Sequence, residues 1–252
     1  TAAILYGSLS PEALQSWGWR VPFFLGLLIA PVGLYIRSHL DETHTAEAHA
    51  PSPLGTLFRD HGGLVIKGVL TIIGGTVGTY LVIYFMPTYM IRELHLPASL
   101  SLLAGCVTGL TSFGASLLSG WLADRLPRRK PLVVGATLVT VAALYPAFWL
   151  MTHYPSVPLV LALSALLTGT LYLGTTPMLL MMMELLPIKV RASGLSVIYA
   201  IGVTVFGGSC QFVVTWLLAR TGNPLSPAFY MMACSAITLL TVLSLREARE
   251  TD

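Results

Sequence analysis

Residues 120–132 read GWLADRLPRRKPL. The residues from Ala98 to Leu122 before it carry no charge, and neither do those from Leu132 to Thr152 after it. Between them stand one acid and four bases: Asp124, Arg125, Arg128, Arg129 and Lys130. The whole chain repeats this contrast. Its 252 residues are 55% hydrophobic and only 10% charged, with a mean hydropathy of +0.77. A soluble domain carries about 25% charged residues. The composition is that of a membrane protein. A net charge of +3 is too small to argue for nucleic acid as a partner.

A bilayer core about 30 Å thick needs roughly 20 apolar helical residues. Seven uncharged runs meet or approach that length: Val21–Ile36, Gly68–Ile91, Ala98–Leu122, Leu132–Thr152, Tyr154–Met183, Ala192–Ala219 and Thr221–Leu245. Trp19 and Tyr35 can anchor the ends of the short first run. Such runs are too long for barrel strands, which are about ten residues of alternating polarity. The apolar start, TAAILYGSL, reads as the tail of a further helix, and the chain as a fragment. Cys106, Cys210 and Cys234 all lie inside apolar runs, without the spacing of a metal site or a disulfide framework. Packing is their reading.

The bases assign sides. Rich and poor connections alternate along the chain, and eleven of the fourteen Lys and Arg residues fall on one side. That side is expected to be cytoplasmic, with the C-terminus on it, in a bacterial-type inner membrane. Residues 38–66 form the longest polar stretch and are expected as a cytoplasmic loop, in which SPLGTLFRDH has the makings of a short interfacial helix. His39, His44 and His49 recur at five-residue spacing, which does not place them on one helical face. A solvated linker is favoured over a metal site.

Physical chemistry accounts for most of the opening stretch. The four bases suit an anionic inner leaflet, and Gly120 permits a close helix approach. The acid is not explained in this way. A carboxylate at a membrane edge is usually paired or aimed at a helix N-terminus.

GWLADRLPRRK resembles the G-x-L-A-D-R-x-G-R-R/K signature of the major facilitator superfamily. In that superfamily the signature joins the second and third helices of each six-helix bundle, and here it joins the second and third spans after the long loop. Pro127 replaces the usual glycine and cannot adopt its left-handed conformations. Three longer stretches are similar to the metabolite:proton symporter family: SWGWRVPFFLGLLIAPVGLYIRSHLDET, YFMPTYM, and ELLPIKVRASGLSVIYAIGVTVFGGSCQFVVTWL. Within it, citrate and tricarboxylate carriers are the nearest in pattern.

The resemblance implies an all-α membrane protein: a C-terminal six-helix bundle, preceded by helix six of the N-terminal bundle and the tail of helix five. Residues 1–37 would end the N-terminal bundle, 38–66 link the bundles, 67–246 form the C-terminal bundle and 247–252 a cytoplasmic tail. It implies a secondary transporter, not an enzyme, with no cofactor. Its partners would be an organic acid, a proton or sodium ion, membrane lipid and the missing N-terminal bundle. It also implies a gate or brace network at the cytoplasmic ends, made of Asp124, Arg125, Arg129, Glu184 and Arg191, with Arg191 as the partner of Asp124.

Substrates of such carriers bind near the midplane. Thr76, Tyr80 and Tyr84 recur every four residues and share a helix face, as do Thr108 and Ser112. Tyr172 lies mid-span, and Tyr199 and Gln211 flank GVTVFGG. These are the candidate substrate contacts, with interhelical packing as the alternative for each. Gly74/Gly78 and Gly105/Gly109 read as close-packing pairs. No Asp, Glu, His, Lys or Arg lies deep in any span. The coupling acid and any substrate-binding base are therefore expected in the missing half, and the chain alone is not expected to transport. A zwitterion such as betaine or proline, or shikimate, is the alternative substrate. A non-transporting receptor is the remote alternative.

Overall fold

The computed structural model describes residues 5, 8–39, 53–97 and 99–245. Its contacts divide the chain into two units, Thr1–Ala50 and Pro51–Asp252.

The first unit contains α1 (Pro11–Ser16), α2 (Val21–Gly26) and α3 (Ile29–His39). Ser10 starts α1 by accepting the Ala13 N–H on its hydroxyl at 3.3 Å. The 21 residues Gly18–Ser38 are long and apolar enough to span a bilayer. Phe23, Phe24, Leu27, Leu28 and Ile29 are all well exposed. Such a surface suits an apolar solvent. His44 and His49 lie outside the described residues.

The second unit is a helical bundle: α4 (Pro53–Thr79), α5 (Met86–Arg92), α6 (Ser99–Arg125), α7 (Lys130–His153), α8 (Val157–Leu185), α9 (Arg191–Ile201), α10 (Gly208–Thr221) and α11 (Ser226–Ser244). A π-helical segment, Tyr80–Phe85, joins α4 to α5. A second, Gly202–Gly207, joins α9 to α10. The unit therefore holds six candidate spans, which with the first makes seven. Each of the seven overlaps one of the uncharged runs, and no strand occurs among the described residues.

The polar stretch expected as a loop over 38–66 is helical in much of its described part. Residues 38 and 39 end α3, and from Pro53 onward the chain is helical. His61 breaks the backbone regularity of α4 (φ −128°, ψ 17°). The segment before it is pinned by Leu57, which is fully buried in the cluster of Leu186 and Val190. One apolar anchor turns a polar linker into a docked helix.

Helix ends follow local chemistry. Proline opens α7, α8 and α11, where its missing N–H is one of the unpaired donors of a first turn. Gly222 ends α10 in the left-handed conformation (φ 62°), and its N–H donates to the Leu218 carbonyl at 2.9 Å.

α4 is the central element. It packs on α8, α9, α11 and the second π segment. Two apolar clusters lie along it. One surrounds Ile73, Val77, Leu81, Tyr89 and Phe148; the other surrounds Leu57, Val69, Ile72, Met182 and Ile198. Lipid is as apolar as leucine, so association in a bilayer relies on close contact and hydrogen bonds. Both are present. The Thr238 hydroxyl accepts the Gly74 N–H at 2.8 Å and donates to the Leu70 carbonyl at 3.1 Å. Those two groups are also the pair that a regular helix joins, so the α11 hydroxyl bridges one rung of the α4 ladder.

Candidate functional site

The signature stretch lies where α6 ends and α7 begins. The turn from Leu126 to Arg129 contains no left-handed residue. Pro127 is therefore compatible with it, and the glycine of the pattern is not needed here.

Each base around the turn has a distinct use. The Arg125 guanidinium lies over the Trp121 ring, 4.1 Å from its centroid. Arg129 forms an ion pair with Glu184 near the end of α8. Each member of that pair stands at the helix end that its charge disfavours: the base before the start of α7, the acid in the last turn of α8. Pairing offsets both penalties. Lys130 Nζ donates to the Leu243 and Leu245 carbonyls at 2.9 and 2.6 Å. It caps the end of α11, where a cation is favoured. These contacts hold α7, α8 and α11 together at their basic ends.

The expected Asp124–Arg191 pair is not formed. No ion pair within 4.0 Å joins them among the described residues. Asp124 is exposed on the last turn of α6. Arg191 turns back instead, and its Nε donates to the Leu186 carbonyl five residues earlier, at 3.2 Å. Of the five residues expected to form one network, the structure joins Arg129 to Glu184 and gives Arg125 and Arg191 other partners.

Of the six mid-span candidates, three come together with a glycine outside that set. Thr76 and Tyr80 both press against Gly207. A Cβ built there would stand 2.6 Å from Tyr80 Cε2 and 3.0 Å from Thr76 Cγ2. The Tyr80 and Tyr84 rings are 5.3 Å apart and tilted by 59°, and Tyr84 is exposed. Gln211 follows Gly207 by four residues and is exposed. Tyr172 packs against the core cluster around Leu171, and Tyr199 is partly exposed on α9. Neither makes a ring contact with Tyr80 or Tyr84 among the described residues. Thr108 spends its hydroxyl on the Ala104 carbonyl of its own helix, at 2.8 Å.

Tyr80 begins one π segment and Gly207 ends the other. π turns are rare and concentrate at functional sites. Neither π segment was read from the sequence; the glycine-rich GVTVFGG was the available signal for the second, and nothing in YLVIYF marks the first. The site carries hydroxyls, an amide and aromatic faces, but no charge. It can offer hydrogen bonds and ring faces to a solute, and no ionic bond.

A profile of the Major Facilitator Superfamily matches residues 1–204. A citrate-proton symporter of Klebsiella pneumoniae is 31% identical over 236 residues, covering 92% of this chain and 53% of that protein. A putative proline/betaine transporter of Staphylococcus aureus (strain COL) is 32% identical over 249 residues, covering 95% of this chain and 53% of that protein. The chain spans about half the length of the curated relatives it matches. Among solved structures, the superfamily transporter FucP in the outward conformation superposes with a TM-score of 0.68. It is 14% identical, over 96% of this chain and 60% of that one. That likeness concerns the fold.

Proposed function

The chain belongs to the Major Facilitator Superfamily, and from that premise we propose that the protein is a proton-coupled symporter of a small organic solute, working by alternating access. The observation that carries this reading is the uncharged polar seam between α4 and the α9–α10 region. There Thr76 and Tyr80 meet Gly207 in the middle of two apolar spans. Midplane polar groups where helices are locally irregular are where such carriers hold solute.

The solute we favour is a small organic anion such as citrate or another di- or tricarboxylate. The hydroxyls of Tyr80 and Thr76 and the amide of Gln211 would donate to it. The base that neutralises it, and the proton-carrying group, would come from the N-terminal bundle. A second reading has its own observation. The tilted Tyr80–Tyr84 pair presents aromatic faces without charge, which suits the quaternary ammonium end of a betaine.

Orientation follows from the bases: the end carrying Arg125 to Lys130 faces the cytoplasm, in a bacterial-type inner membrane. Uptake of labelled citrate, betaine and proline by the full-length protein, with and without a protonophore, tests the function. Uptake of one of them that collapses with the protonophore is the expected result. Protonophore-insensitive uptake would remove the proton from the reading.

We read Asp124 as a gate group. A gate residue is paired in one conformation and released in another. Among the described residues Asp124 has no ion-pair partner, while Arg191 is held by a carbonyl. Asp124→Asn is expected to cut uptake on the order of tenfold by shifting the inward/outward balance. Unchanged uptake and unchanged balance would leave only a static brace.

A further inference from the structure

We propose that Gly207 is a positioning residue. By lacking a Cβ it lets the Tyr80 ring lie flush against the backbone of the second π segment, and so sets the size of solute that the seam accepts. The inference rests on the reading that Tyr80 lines the solute path.

The backbone at Gly207 is ordinary helix, φ −73° and ψ −52°, which any residue adopts. Conformation therefore does not demand glycine there. Space does. An added Cβ would meet Tyr80 Cε2 at 2.6 Å, Tyr80 Cδ2 at 2.9 Å and Thr76 Cγ2 at 3.0 Å. The obstacles are the edge of a rigid ring and a methyl on a β-branched residue, whose χ1 is stiff. Neither is the loose end of a long chain that could swing aside. The next residue supplies the contrast. Gly208 is also helical, φ −61° and ψ −36°, and a Cβ there meets nothing within 4 Å.

The Tyr80 ring also contacts Tyr84, at 5.3 Å between centroids. The ring thus touches both a bare backbone and a second tyrosine. A methyl at residue 207 drives it away from the backbone and alters its packing on exposed Tyr84. The aromatic faces of the candidate site would change angle and spacing, while the fold of α4 stayed fixed by its contacts with α8 and α11.

The test is uptake kinetics in the full-length protein, for the solute it carries and for a homologue larger by one methylene. Gly207→Ala is expected to raise KM roughly tenfold, the scale on which a methylene counts in a packed pocket, and more for the larger solute. Turnover should change little, and Gly208→Ala should match the parent. Tyr80→Ala removes the ring, so Gly207→Ala added to it should leave KM where Tyr80→Ala alone put it. If Gly207→Ala does not accumulate, Thr76→Ser/Gly207→Ala relieves the methyl contact and is judged by the same KM shift.

Two failures are distinguishable. An unchanged KM in Tyr80→Ala sinks the solute-path reading, and this inference with it. A changed KM in Tyr80→Ala, with Gly207→Ala equal to the parent or fully additive with Tyr80→Ala, overturns the inference and leaves the path reading standing.

Discussion

α4 and α6 are each 27 residues long, each apolar, and each carries a GxxxG pair. They pack in opposite ways. In the span Leu54–Arg92, which contains α4, 61% of the most apolar stretch is buried; in Leu103–Arg125, within α6, 17% is. A Cβ on Gly74 would stand 2.9 Å from Ser235 Cα, and one on Gly78 would stand 2.8 Å from both Leu171 Cδ1 and Met231 Cε. At Gly105, Gly109, Gly114 and Gly120 an added Cβ meets nothing within 4 Å. The close packing expected of Gly105/Gly109, and the close approach expected at Gly120, are therefore not found in this bundle. α6 docks instead along the neighbouring strip of buried Ala104, Thr108, Ser119 and Ala123, where the Ser119 hydroxyl donates to the Leu173 carbonyl at 2.6 Å. Small residues permit an approach; a neighbour must still arrive.

Substitutions can break or sharpen that contrast. Gly74→Ala should have the largest effect, because the obstacle is backbone of α11. Overpacking of this kind costs about 1–3 kcal/mol, read as a lower thermal unfolding midpoint of the purified full-length protein. Thr238→Val comes next. It keeps the shape but loses both hydrogen bonds that tie α11 into α4. Interhelical hydrogen bonds in membranes are worth about 0.6–1.7 kcal/mol, and the same melt should show it. Glu184→Gln should be smaller, within about 1 kcal/mol. Its signature is that added salt narrows the difference from the parent. Gly105→Ala and Gly109→Ala should be smallest and opposite in sign, since alanine is favoured over glycine in a helix interior by roughly 0.5–1 kcal/mol. A marked destabilisation there would mean that this face is covered after all.

The spans were legible because lipid filters composition along one dimension. A run without charge is visible in the sequence whatever it touches. That is why all seven spans could be placed before any contact was known. Contacts are a different matter. Gly74/Gly78 and Gly105/Gly109 have identical spacing, and only the positions of α8 and α11 separate them. Within the signature stretch, the charges are paired differently in this structure from the expected Asp124–Arg191, for a similar reason. Arg191 and Asp124 have opposite charge, but Arg191 finds a carbonyl five residues away along its own chain, and a local partner needs no long-range alignment. Lys130 read as a topology marker and proved to be a helix cap as well. Of the candidate site, Thr76, Tyr80 and Tyr84 were readable from their four-residue recurrence. Gly207 was not, since its importance lies in what a neighbouring helix puts beside it.

The two π segments carry one more consequence, for anyone counting residues around a helix. A π turn accommodates about one residue more than an α turn, and each α-helical residue advances the face by about 100°. Residues beyond Phe85 and beyond Gly207 are therefore out of phase with those before Tyr80 and Gly202. A periodic scan drawn as one wheel through either span misplaces its second half by about 100°. The wheel has to be restarted at Met86 and again at Gly208, and Gln211 belongs to the second count, not the first.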